Sequence, residues 1–361
     1  MTLILNNDEK RNLREIAARI LQPGKGVLAS DDTADGLGPR LEAFGLENNA
    51  ESRRLYRQIL YTAPYFGENI SSVILIEETF LQKADSGRRF VDILKDHGCV
   101  VGVQADQGLE PLTGDGALDG ETFTRGLDGL ETRLESYRKG GAEFAKWRAA
   151  LTVKPSELAL HKNAVDLAHY ALACQKHGLV PFVEPDVATF AGTHSLAEAQ
   201  RATEQALAFT FGALTQAGVY LEGIILKPNM VTAGVSAPGV RPSAEEIAEA
   251  TVEAFRRTIP PAVPGCVFLS GGHTDLNATL YLNAIARSKL QKPWFLTFCY
   301  GRAIQGPVMQ AWAGKQANIK AAHKVQIERT LLHRARSNGL AAKGLYEEEE
   351  NVAKQIAKLK I

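Results

Sequence analysis

The chain has 361 residues, enough for a large core, and a single α/β barrel reaches that length as readily as two smaller domains do. Hydrophobic residues make up 45% and charged residues 23%, and 41 basic side chains balance 41 acidic ones, so no basic footprint for nucleic acid is expected. No apolar run approaches the roughly 18 residues that cross a bilayer, and the opening MTLILNNDEKRNLREIAARI lacks the long apolar core of a secretory leader, so a soluble, cytoplasmic chain with small-molecule partners is expected.

Short β-rich apolar runs recur along the chain: GVLAS (26–30), SSVILIEE (71–78), VVGVQAD (100–106), FAKWRAAL (144–151), LVPFVEP (179–185), GIILKP (223–228), VFLSGG (267–272) and WFLTFC (294–299). Amphipathic segments long enough for helices separate them. Two of these, 199–214 and Ala244–Thr258, carry helical spacing, and Ser243 with Glu246 has the spacing of a capping box. Strands alternating with helical crossovers imply a parallel sheet, and continuous apolarity such as Ile224-Ile225-Leu226 suits strands covered on both faces. No GxGxxG follows the first strand and no linker divides the series, so one closed (β/α)8 TIM barrel over 1–345 is expected, with 346–361 as a C-terminal tail. Cys99, Cys174, Cys266 and Cys299 form no CxxC pair and predict neither a disulfide framework nor a zinc site.

Barrel active sites lie at the carboxyl ends of the strands. There the chain offers Asp31, Glu78, Gln104 with Asp106, Lys146 with Arg148, Glu184 with Asp186, Lys227, Ser270-Gly271-Gly272 and Arg302. Strand alternation lets Lys146 and Arg148 point together into the lumen while Trp147 points outward. Each charge alone has a structural alternative, an ion pair or a solvated strand end. Lys227, after three branched apolar residues, is expected to be partly desolvated. With Lys146 nearby, its pKa should fall toward the neutral amine that attacks a carbonyl. Glu184 is placed to expel the carbinolamine hydroxyl. Asp31 should stay ionised as a base, held by Lys146. Ser270, Gly271 and Gly272, with Gly301 and Arg302 at the next strand end, form a candidate phosphate cradle. No HxH, HExxH or carboxylate–histidine cluster marks a strand end, so no metal is expected, and His273 reads as a loop-lining residue rather than a ligand.

Over residues 10–346 the chain resembles the class I fructose-bisphosphate aldolases, in the segments PGKGVLA, ENNAESRRLYRQIL, GAEFAKWR, VPFVEP, YLEGIILKPNMV, RRTIPPAVPG, FLSGG and TFCYGRA. The resemblance implies a barrel, cofactor-free Schiff-base chemistry on a sugar phosphate, and a homotetramer. It implies Lys227 as the Schiff-base lysine, Glu184 as acid/base residue, and Asp31 and Lys146 as partners in bond cleavage. Arg148 also matches, and Ser270, Gly271, Gly272, Gly301 and Arg302 match the C1-phosphate site, with Cys299 where the family has serine.

Departures cluster where the resemblance puts the distal phosphate. The family's ADESTGSIAKR reads SDDTADGLGPR here: Thr33 and Gly36 stand for serines and Pro39 for a lysine, while Arg40 is kept. In GVQADQG, Gln104 stands for a lysine, and Asp32 and Asp35 lie beside the altered stretch. Arg40 and Arg148 are expected to compensate in part. The expectation is an aldolase cleaving a ketose 1-phosphate to dihydroxyacetone phosphate and an aldehyde without a terminal phosphate. The alternatives are a conventional fructose-1,6-bisphosphate aldolase of glycolysis, a transferase of the three-carbon unit, and an inactive homologue used as a scaffold. The family's C-terminal tyrosine is replaced by Lys360-Ile361, which implies slow proton exchange on the enamine or another group in its place.

Overall fold

In the computed structural model, which describes residues 4–313 and 321–347, the apolar runs become the staves of a barrel. Its strands are β1 (Gly26–Ser30), β2 (Ile70–Leu75), β3 (Val100–Gln104), β6 (Phe144–Leu151), β7 (Val180–Val187), β8 (Ile225–Leu226), β9 (Gly265–Phe268) and β10 (Phe295–Tyr300). A small antiparallel hairpin, β4 (Leu109–Pro111) and β5 (Thr122–Thr124), interrupts the series after β3. The order β1-β10-β9-β8-β7-β6-β3-β2 closes on itself with every neighbour parallel, as in the expected (β/α)8 barrel.

Alternation along the strands sorts side chains into two shells. Val27, Ile74, Phe144, Phe182, Ile225 and Val267 fill the lumen, with the Phe144 and Phe182 rings stacked at 4.4 Å. Their neighbours, such as Leu28, Val73, Trp147 and Phe268, pack outward against the helices. Helix α1 (Asn7–Ile20) starts from a capping box between Asn6 and Glu9. It presents Leu13, Ile16, Ala17 and Ile20 to the lumen cluster. The amino-terminal end of the barrel is thereby sealed with apolar side chains, and polar chemistry is confined to the other end.

Most strand ends shift by a residue or two from the expected spans, and three strands are cut short for local reasons. β2 stops at Leu75 because the chain turns into helix α4 (Glu77–Leu81), so Glu78 is a first-turn helix residue and not a strand end. It pairs with Arg53 at 2.6 Å, away from the lysines. β8 keeps only two residues, flanked by the 3-10 turn Leu221–Gly223 and by Pro228, which has no N–H for a ladder. β9 ends before the glycine turn at Gly271 and Gly272, whose φ values of 56° and 90° leave the extended region.

The two helices read from periodicity are present. Leu196–Ala217 extends the first at both ends, from a Ser195–Glu198 capping box to a left-handed Gly218. Ala244–Thr258 starts at Ser243, and both bonds of its box with Glu246 form. All four cysteines are free and buried. Tyr346 is tied to Asn283 through its backbone N–H and carbonyl. The rest of the expected tail, 348–361, lies outside the described residues.

Candidate active site

Register brings the expected catalytic residues together. Lys146 is opposite Gln104 on one side and Phe182 on the other, so its side chain rises between β3 and β7. Asp31 follows the last residue of β1, Glu184 is the fifth residue of β7, and Lys227 follows the two residues of β8. The Lys227 N–H donates to the Val183 carbonyl at 2.8 Å, which fixes the start of its side chain beside Glu184.

The charges then interlock. Lys227 Nζ lies 2.9 Å from Glu184 Oε1. Lys146 Nζ lies 2.8 Å from Asp31 Oδ2, and 3.6 Å from both Asp106 Oδ2 and Glu184 Oε2. Both lysines are nearly closed off from solvent, Lys146 at 4% and Lys227 at 5% exposure. Glu184 Oε2 is buried without a hydrogen-bond partner, Lys146 standing off at 3.6 Å. Arg148 meets Asp186 at 2.8 Å on the more open side.

Three carboxylates (Asp31, Asp106, Glu184) face two ammonium groups here, and that balance sets the protonation states. Burial pushes the Asp31 carboxyl up, but Lys146 and Lys227 outweigh it and hold it at about 2, so it stays ionised as expected. The expectation for Lys227 is corrected. Burial does push its ammonium down, yet its acidic neighbours, Glu184 first and then Cys299 and Asp31, outweigh that effect and the repulsion from Lys146, so its pKa is raised. Lys146 is raised as well, burial being overcome by Asp31, Asp106 and Glu184. The resting Lys227 is an ammonium. Cys299 belongs to the lumen layer, and burial lifts its thiol to about 12, so it is neutral at ordinary pH.

The glycine turn and the eighth crossover form the other half of the site. Ser270 is buried. A methyl group on Gly272 would lie 2.9 Å from the Phe190 ring, so both its conformation and its space call for glycine. Gly301 caps the helix Arg302–Trp312, and a methyl there would stand 3.1 Å from the Ala29 carbonyl. The positive end of that helix and the Arg302 guanidinium, near enough to His273 beyond the glycine turn to act on its charge, make an arrangement suited to an anion. His273 lines this loop, its ring edge-on to Phe190 and Tyr281. Burial and the nearby Arg302 hold it at about 4, so it is neutral.

The divergent residues are occupied locally. Thr33 caps helix α2 (Ala34–Glu42), its Oγ1 accepting from the Gly36 N–H at 3.2 Å. Gln104 Nε2 donates to Asp106 Oδ1 at 2.8 Å. Arg40 pairs with Asp32 at 2.6 Å. Asp106 was visible in the sequence only as a neighbour of Gln104, and its approach to Lys146 depends on the barrel register. Arg57 and Gln305, both buried beside Asp32, carried no sequence signal beyond their place on amphipathic segments.

The family model described as "Glycolytic: Fructose-bisphosphate aldolase class-I" matches residues 12–360. The chain is 49% identical to the muscle-type fructose-bisphosphate aldolase of Lethenteron camtschaticum, covering 95% of this chain and 93% of that protein. It is 50% identical to fructose-bisphosphate aldolase 2 of Caenorhabditis elegans, covering 96% and 93%. Among solved structures, the Plasmodium falciparum fructose-bisphosphate aldolase in a ternary complex with TRAP and a small-molecule inhibitor superposes with a TM-score of 0.91 at 39% identity, covering 96% of this chain and 98% of that one. Whole-length similarity, a closed barrel and a lysine–carboxylate cluster at its polar end agree: the chain belongs to the class I fructose-bisphosphate aldolase family, carbon–carbon lyases.

Proposed function

We propose that this chain reversibly cleaves fructose 1,6-bisphosphate to dihydroxyacetone phosphate and an aldehyde triose phosphate through a Schiff base on Lys227. The observation that carries the reading is the 2.9 Å pair of Lys227 and Glu184, with the second Glu184 oxygen free of hydrogen bonds. Glu184 takes a proton from the Lys227 ammonium, and the freed amine attacks the ketone carbon. Glu184 then returns the proton to the carbinolamine hydroxyl, which leaves as water and yields the protonated imine. Asp31, ionised, removes the proton of the C4 hydroxyl; the C3–C4 bond breaks, its electron pair passes into the iminium to give an enamine, and the aldehyde departs. The Lys146 ammonium stays against Asp31 and steadies the negative charge that develops on the C4 oxygen as its proton leaves. Ser270, Gly271, Gly272, Gly301 and Arg302 take the C1 phosphate.

A second reading, in which the aldehyde half carries no terminal phosphate, is favoured by Arg40 being held by Asp32 and Gln104 by Asp106. The names of the relatives at about half identity favour the bisphosphate. Side-by-side cleavage of fructose 1,6-bisphosphate and fructose 1-phosphate, with Lys227→Ala as control, decides between them. Preference for the monophosphate would overturn the first reading, and activity surviving in Lys227→Ala would overturn both. A homotetramer in the cytoplasm belongs to the same proposal and rests on the family. Among the described residues no helix is long and apolar enough to cross a membrane.

A further inference from the structure

Asp31 is bracketed by two residues that one helix holds. Strand alternation turns Asp31 inward and its neighbours Ser30 and Asp32 outward, toward helix α3 (Ala50–Tyr61). There the Tyr61 hydroxyl meets Ser30 Oγ at 2.6 Å. Ser30 Oγ also donates to the Ile74 carbonyl at 3.0 Å, so in the first contact Tyr61 is the donor. One helical turn earlier, Arg57 reaches both the carbonyl and the Oδ2 of Asp32 at 3.5 Å. The same guanidinium donates to Gln305 Oε1 at 2.7 Å, and Gln305 Nε2 donates to the Ala29 carbonyl at 2.6 Å. Gln305 lies three residues beyond Arg302 on the helix Arg302–Trp312, and the Tyr56 hydroxyl bonds its backbone carbonyl at 3.2 Å. Ser30, Tyr61 and Gln305 are fully buried and Arg57 is 1% exposed.

A buried arginine is costly to keep in an apolar wall, and this one has no full-strength ion pair: its carboxylate partner lies at 3.5 Å and is shared with Arg40 at 2.6 Å. What Arg57 does hold is geometry, since it joins the segment on either side of Asp31 to the helix that begins at Arg302. We propose that Arg57, Tyr61 and Gln305 are positioning residues for the reaction: they fix the Asp31 carboxylate relative to Lys146 and to the Arg302 end of the site. This rests on the reading of Asp31 as the base in carbon–carbon cleavage. The brace touches neither Lys227 nor Glu184, and Asp31 is not the group that takes the Lys227 proton, so the brace bears on cleavage more than on Schiff-base formation.

The test uses the full-length protein and two readouts: steady-state cleavage of fructose 1,6-bisphosphate, and borohydride trapping of dihydroxyacetone phosphate on Lys227. The variants are Tyr61→Phe, which removes one oxygen, Arg57→Lys and Gln305→Leu, with Asp31→Asn as the reference. The expected result is that kcat for cleavage falls by about tenfold or more, as a displacement of a fraction of an ångström produces, while KM and the trapping rate stay within about twofold of wild type. Trapping that falls in parallel with cleavage, or cleavage that is unchanged in all three variants, overturns the proposal. If Arg57→Lys fails to fold, Tyr61→Phe carries the same comparison. Full cleavage by Asp31→Asn would instead remove the reading of Asp31 itself, an outcome separate from the fate of the brace.

Discussion

Glu184 divides its two oxygens between unequal tasks: Oε1 holds Lys227 at 2.9 Å, and Oε2 stays buried without a hydrogen-bond partner. A carboxylate in that state serves a proton transfer in both directions, since one oxygen is already in contact with the donor ammonium and the other is free of hydrogen bonds. Glu184→Gln keeps the shape and removes the transfer. Cleavage is expected to fall by about 100-fold or more, and borohydride trapping should slow in proportion because carbinolamine dehydration is the step affected. Lys227→Ala should abolish trapping altogether. Mass spectrometry of the reduced adduct checks both, and a labelled peptide lacking Lys227 would remove the assignment.

The Asp31 carboxyl gives a pH dependence with a defined sign. Its folded pKa is about 2 against an ordinary value of 3.8, so its ionised form stabilises the fold above the ordinary value and that contribution is lost as pH falls toward 2. The shift corresponds to roughly 2 kcal/mol. Urea unfolding of wild type and Asp31→Asn at pH 6 and near pH 3 measures it. The wild type is expected to lose more stability than the variant across that interval, and equal losses would mean that Lys146, at 2.8 Å, does not hold the carboxylate in its ionised form.

His273 reports on the phosphate end. Burial and Arg302 keep it near 4, well below the usual histidine value, so the imidazole is neutral at pH 7 in the free protein. An anion bound beside Arg302 cancels part of that repulsion and should raise the histidine pKa. Proton NMR titration with and without inorganic phosphate follows this directly. A pKa that does not move on saturation would place the phosphate elsewhere.

At Gly272, φ is 90° and a methyl group would press on the Phe190 ring at 2.9 Å. Gly272→Ala therefore has to distort the turn that carries Ser270 and Gly271. A backbone strain of about 1–3 kcal/mol is expected, seen as a lower melting temperature. KM for the phosphorylated ketose should rise by about tenfold, as a misplaced phosphate cradle entails. An unchanged KM in a folded variant would show that the cradle lies off this turn.

The barrel was legible because its strands are buried on both faces and so read as continuous apolar runs, each ended by a polar residue. The same logic failed where composition stopped tracking backbone state. Glu78 follows an apolar run yet sits on a helix, and β8 keeps two residues beside Pro228 although the apolar run is longer. The hairpin strands Leu109–Pro111 and Thr122–Thr124 are too short and too exposed to show alternation. Site residues at strand ends were readable one at a time, but their electrostatics were not. Lys227 was expected to be driven toward neutrality by burial and Lys146, whereas the sum over Glu184, Cys299 and Asp31, set only by barrel closure, reverses the sign. Arg57 and Gln305 meet across 248 residues of chain, a relationship with no local signature.

Gln104 offers the sharpest test of the distal end. Its amide is bonded to Asp106 at 2.8 Å, and Asp106 in turn faces Lys146 at 3.6 Å. Gln104→Lys puts an ammonium where the amide stands and offers a cation to any second phosphate on the substrate. At an effective dielectric near 20 a charge contact at 4 Å is worth roughly 4 kcal/mol before desolvation, so even a fraction of it changes substrate preference. The expected outcome is a rise of about tenfold in the ratio of kcat/KM for fructose 1,6-bisphosphate over fructose 1-phosphate, since about 1.4 kcal/mol suffices for that factor. The two substrates assayed side by side at fixed ionic strength give the ratio for both proteins. A wild-type ratio already far in favour of the bisphosphate, unchanged by the lysine, would mean that Arg40 and Arg148 recognise the distal phosphate without help from this position, and the monophosphate reading would fall.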